Sequence, residues 1–166
     1  MGTDFRKLLE NARSLADIFE VVKTSVHKSI GMNRGGLMLG LADLGNHPQG
    51  FFGAFYPVGT NIIVMNSIPL MRIRETQPEL YNSYAYHVLL HEYLHSLGYL
   101  DERAVRKYVY DISREIFGED HPATQIANDT RKFFPNLVYP NIAWQPENLD
   151  INLVDGFDRG SVCYIA

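Results

Sequence analysis

The chain has 166 residues, 46% of them hydrophobic and 20% charged, with a net charge of −4 and a pI near 5.8. That length fits a single domain able to bury a core, and the composition is that of a folded globular protein rather than a disordered one. The acidic balance without a basic cluster argues against nucleic acid as a partner, and no apolar run approaches a membrane span, so no membrane partner is expected. Cys163 is the single cysteine, which rules out an internal disulfide and fits a reducing compartment. The opening residues carry no apolar stretch and no cleavage pattern, so a secretory signal is not expected and the reading is cytoplasmic.

Residues 4 to 30 predict helix. Leu8, Leu9, Leu15, Ile18, Phe19, Val22, Val26 and Ile30 recur at helical spacing, Ser14 can cap a second segment, and Gly31 is a natural stop. His27 falls on this helix as a surface or boundary residue. Residues 1–33 therefore form an N-terminal helical region. From Arg34 the texture changes: RGGLMLGLADLG, GFFGAFYPVG and NIIVMNSIPL predict two or three strands, with turns near Gly45–Gly50 and Pro57–Thr60. A small, largely antiparallel sheet is expected from residues 35–67. A strand in that region, such as Ile62 to Ser67, could also take an extended peptide as an added strand.

Thr76-Gln77-Pro78-Glu79 fits a capping box, so the next helix is expected to run from Thr76 to Gly98. Tyr81, Tyr84, Tyr86 and Tyr93 read as its core and rim residues. Its last part carries the chain's most informative stretch, HEYLHSLGYLDE, from His91 to Glu102. On a helix, His91 and His95 lie one turn apart on one face, where two imidazoles can reach one metal ion. Glu92 stands beside them, close enough to hold a metal-bound water without entering the ligand shell. His87 extends the stripe by another turn, but three histidines on one straight helix do not easily share an ion, so His87 is expected to be packed or hydrogen-bonded.

Gly98 allows the left-handed turn that a returning third ligand needs. Asp101 then offers an oxygen ligand, completing the pattern HExxHxxGxxD and leaving a fourth position open. The short return favours Asp101 as third ligand over Glu115, with His121, Glu102 or no third protein ligand as the remaining alternatives. Asp101 is also a good N-cap for the next helix, ERAVRKYVYDISREIFG, which ends at Gly118. A further helix is expected from Pro122 to Phe134, with His121 as its cap or as a surface residue. Residues 135–166 read as an ordered, extended C-terminal tail holding Tyr139, Trp144, Val162 and Tyr164. In it, INLV and SVCYIA pair as a hairpin or dock on the domain. Cys163 is expected to pack with Val162 and Ile165; the alternative is a thiolate that closes the open metal position.

The stretch resembles the zinc-binding consensus of the metzincin clan of zincin metallopeptidases, in the variant whose third ligand is aspartate. The resemblance covers about twelve residues, and it implies one zinc held by His91, His95 and Asp101, with Glu92 as general base. It implies a hydrolase acting on a peptide or protein substrate. It also implies an α+β, zincin-like single domain, residues 1–166, built around the HExxH helix. Metzincins carry a methionine turn after the motif, whereas Met1, Met32, Met38, Met65 and Met71 all precede it. The chain is thus closer to pared-down, minimal zincin-like domains. Two rival readings share the motif: a structural or regulatory zinc-binding domain without turnover, and a module that holds peptides without cutting them.

Overall fold

The computed structural model describes residues 3–45, 50–140 and 149–158. The apolar periodicity at the N-terminus becomes two helices, α1 (Phe5–Asn11) and α2 (Leu15–Ile30), because each has its own cap. Asp4 accepts from the Lys7 amide and Ser14 from the Asp17 amide, each pairing an amide that the helix leaves without a partner. Gly31, at φ +70°, ends α2.

The architecture is α+β. The described residues form seven helices and six short strands: β1 (Met38–Ala42), β2 (Phe51–Phe52), β3 (Ala54–Phe55), β4 (Ile62–Asn66), β5 (Leu137–Val138) and β6 (Asn152–Leu153). The main sheet has the order β3-β4-β1-β6, and a separate pair joins β2 to β5 in parallel. The expectation of a largely antiparallel sheet needs correction. Its two longest strands, β1 and β4, run parallel in the register Met38 to Ile62, while β3 and β6 flank them antiparallel. The chain between β1 and β4 is too long for a tight hairpin and lays β3 on the far side of β4. Both strands are mostly buried, as paired parallel strands tend to be. Among the described residues, β1 and β4 have neighbours on each side and the sheet ends at β3 and β6.

Asn66 ends β4 and caps α3 (Ser67–Thr76). Its fully buried amide accepts from the Ile68 and Leu44 backbone and donates to the Gly45 and Phe52 carbonyls. The stretch from Ser67 is therefore helix, not strand. Thr76 does not start the following helix either: it ends α3, with its hydroxyl on the Arg72 carbonyl. Gln77, restricted by the proline after it, leaves the helical region at φ −141°, ψ 60°. A short 3-10 turn, Pro78–Leu80, then leads into α4 (Tyr81–Ser96).

Every residue of α4 from Ser83 to Ser96 is buried. The helix packs against α1, α2, α3, β3 and β4, and against α5 (Glu102–Phe117) and α6 (Pro122–Asn128). Asn82 ties it to α1 by donating to the Leu9 and Ala12 carbonyls. Arg34 ties its C-terminal end to the strand layer, donating to Ser96 O, Thr60 O and the Tyr56 hydroxyl. Glycine at φ +90° follows α5 at Gly118. The single helix expected from Pro122 to Phe134 is broken at Asp129, which is extended and caps α7 (Thr130–Phe133) by accepting from the Lys132 amide.

The C-terminal segment docks on the domain. Phe157 is buried and stacks on Phe19 with centroids 4.1 Å apart. The buried Asp158 carboxylate accepts from Lys23 Nζ at 2.6 Å and from the Leu37 amide at 3.2 Å. The readings of Trp144, Cys163 and the SVCYIA stretch lie outside the described residues. Among the described residues, no helix is long and apolar enough to cross a membrane.

Candidate metal centre

The site is assembled where α4 stops and α5 begins. The Tyr99 amide donates to the Leu94 carbonyl and the Gly98 amide to the His95 carbonyl. This is the Schellman arrangement, with Gly98 supplying the left-handed residue at φ +107°. The turn aims the Tyr99 carbonyl back at the helix, where it meets His95 Nδ1 at 2.7 Å.

Three side chains converge there. His91 Nε2 and His95 Nε2 each lie 2.8 Å from the same oxygen, Glu102 Oε1. The other carboxylate oxygen, Oε2, accepts from Arg106 Nε at 3.2 Å. Glu102 is the first residue of α5, where a negative charge also gains from the helix dipole. His91, His95 and Glu102 form a group that could hold a metal ion.

The hydrogen-bond bookkeeping supports that reading. A backbone carbonyl only accepts, so His95 Nδ1 carries a proton and the lone pair of the neutral ring sits on Nε2. That lone pair faces the Glu102 carboxylate, another acceptor. The contact is favourable only with a positive charge between them: a second proton on His95, or a cation. The protonation tendencies agree. Burial works against charge on His95, yet the Glu102 hydrogen bond, the Glu92 charge and the Tyr99 carbonyl together raise its pKa. Burial also opposes charge on Glu102, but the hydrogen bonds of both imidazoles hold it well below the usual carboxylate range. The more deeply buried His91 is pushed down, chiefly by desolvation.

Glu92 is buried beside these three side chains, within electrostatic reach of His95, Glu102 and Tyr139. Burial raises its carboxyl to about 8 in the metal-free chain, and the Glu102 charge adds to the rise. No hydrogen bond to a described residue holds its carboxylate. A cavity of about 530 Å³ is lined in part by Arg106 and Tyr139, which contact Glu102 and His91, and by Thr130 and Arg131; the three converging side chains and Glu92 are not part of its wall.

Of the residues singled out from sequence, the structure brings together His91, His95 and Glu92. Asp101 is not in the cluster: it is exposed at the N-cap of α5, and the next residue, Glu102, reaches the histidines. Glu115 is exposed and accepts from Ser29 Oγ, far along α5. His121 caps α6 through Nδ1 and stacks on Phe117. His27 is exposed near the end of α2. The Tyr99 hydroxyl points to the Met32 sulfur, so this residue serves the site through its carbonyl. His87, buried one turn before His91, meets the Tyr139 hydroxyl through Nε2. Sequence reasoning gave Tyr139 no part in the site, and no local signal pointed to it. No protein-family model, no curated protein and no solved structure matches the chain.

Proposed function

We propose that this chain is a small zinc-dependent peptidase of the minimal zincin-like kind, with Glu102 in place of Asp101 as the third ligand. The observation that carries the reading is the convergence of His91 Nε2, His95 Nε2 and Glu102 Oε1, with the His95 lone pair fixed toward the carboxylate. Two imidazoles and one carboxylate are a donor set that suits zinc and leaves its fourth position open. Bound there, zinc would supply Lewis acidity.

The protein's own groups do the rest. Glu102 stays ionised and offsets positive charge at the centre. Glu92 holds and orients the attacking water and takes its proton as oxygen adds to the carbonyl carbon. It then returns the proton to the amide nitrogen as the C–N bond breaks, leaving a carboxylic acid, which keeps the water's second proton, and an amine. Positive charge at the centre would lower the Glu92 pKa and favour the ionised form that takes the proton. A single cysteine is in keeping with a reducing compartment, which supports reading the setting as cytoplasmic.

The test is Glu92→Gln in zinc-reconstituted protein, digesting a peptide library. Zinc content and fold should match the parent while cleavage is lost. Cleavage by the variant at the parental rate would end the peptidase reading. Zinc binding by a parent that cleaves nothing would leave a non-catalytic zinc domain.

A further inference from the structure

The two imidazoles of the centre are held in different ways. His95 is oriented through Nδ1 by a backbone carbonyl. His91 has no such partner, for its buried Nδ1 makes no hydrogen bond among the described residues. Its ring lies instead against Tyr139, with centroids 4.3 Å apart and planes within 13° of parallel. Tyr139 is itself held by His87, Arg106 and Thr130, the last through a side-chain hydrogen bond. Its hydroxyl meets the buried His87 Nε2 at 2.5 Å, and the Arg106 guanidinium lies 4.8 Å from its ring centroid. The same Arg106 holds Glu102 Oε2. Tyr139 follows β5 directly, so the β2–β5 pairing places it.

We propose that Tyr139 is a positioning residue of the metal centre: its ring sets the plane of His91, and through Arg106 it links that imidazole to Glu102. This rests on the metal-centre reading above. An imidazole nitrogen binds a metal along its lone pair, so rotation of the ring misdirects the bond. Metal-bound histidines are usually held by a hydrogen bond to the second ring nitrogen. At His91 a flat ring packed face to face takes that part, and the His87 contact keeps the flat ring from sliding. Tyr139 touches no reacting atom in this scheme. Its effect is on how well the apo site is prearranged.

The experiment uses the full chain, stripped of metal and titrated with zinc against a chromophoric chelator. Cobalt(II) absorption reports ligand geometry, and NMR of the His91 ring reports the stack. Tyr139→Ala should weaken zinc binding about 10–100-fold, the range seen when such outer partners are removed. It should also alter the cobalt spectrum and shift the His91 ring proton downfield as the ring current is lost. Tyr139→Phe keeps the ring and loses only the hydroxyl, so its loss should stay under about tenfold, with the His91 shift preserved. A folded Tyr139→Ala that binds zinc like the parent with an unchanged cobalt spectrum would overturn the proposal. So would a Tyr139→Phe as damaged as the alanine variant. Should Tyr139→Ala fail to fold, Tyr139→Leu takes its place under the same criteria. A parent that binds no zinc overturns this proposal and the metal-centre reading together; a tight parent with indifferent Tyr139 variants overturns this proposal alone.

Discussion

Asp101 and Glu102 are adjacent, both acidic and both near the α4–α5 turn, and substituting each in turn separates their roles. Glu102 Oε1 sits 2.8 Å from both imidazole nitrogens, whereas Asp101 is exposed and its side chain makes no capping hydrogen bond. Four-ligand structural zinc sites bind with about 10–16 kcal/mol, or about 2.5–4 kcal/mol per ligand. Glu102→Ala should therefore weaken zinc by ~10²–10³-fold. Asp101→Ala should leave zinc affinity near parental. It should also cost no more than about 0.5 kcal/mol of stability, the low end of the capping range. A thermal shift gives a second readout. Zinc at a hundred times the parental Kd adds about 2.7 kcal/mol, and at the same concentration a site weakened a hundredfold gains only about 0.4 kcal/mol. For a chain of this size that is a rise of about 5–10 °C against about 1 °C. Chelator competition and melting in matched zinc would be measured for both variants. If Asp101→Ala loses as much affinity as Glu102→Ala, the assignment of the third ligand is wrong.

Two further predictions rest on buried charge. Glu92 ionises near 4.5 when unfolded but at about 8 in the metal-free fold, so the unfolded state releases this proton first as pH rises. Stability from this group is intact below pH 4.5 and falls between 4.5 and about 8, with a ceiling of about 5 kcal/mol at about 1.4 kcal/mol per pH unit. Urea unfolding of chelator-treated protein should find Glu92→Gln close to the parent at pH 4.5 and more stable by a few kcal/mol at pH 8.5; parallel curves would refute this. In the tail, Asp158→Ala removes the 2.6 Å partner of Lys23 and leaves it with Glu20 at 3.0 Å, and should cost about 1.5–3 kcal/mol in urea unfolding. Adding Lys23→Met should recover most of that loss, and a single-variant cost below about 1 kcal/mol would refute the anchoring role.

What could be read from the sequence was what local spacing controls. The i, i+4 histidines, the adjacent Glu92, the Gly98 turn and the caps at Ser14 and Gly31 all act within a turn or two of themselves. The choice between Asp101 and Glu102 depends on the rotation of the first turn of α5, which separates adjacent side chains by about 100°. Composition does not set that angle. The start of α3 was hidden because the apolar texture of β4 runs on through Ile68 and Leu70, and the change of period depends on one asparagine cap. Strand direction was hidden for a related reason. A short apolar run looks the same whether its neighbour is parallel or antiparallel. Tyr139 arrives through a two-residue pairing between β2 and β5, and such distant contacts leave no mark on the residues beside them.

Two residues of β6 are a small amount of structure, yet they stand where the sheet would otherwise be open to other molecules. β1 is mostly buried and apolar, and a strand of that kind with unpaired amides and carbonyls is a template for association between chains. β6 takes up that side at Gly40 and Leu41, and the Val154 amide extends the cover to the Leu39 carbonyl. Ile151 lies so close over Gly40 that a methyl group there would collide with it. Proteolytic loss of residues 150–158 would therefore do more than remove a tail. The clipped protein should self-associate through β1, and light scattering would detect the growth in particle size.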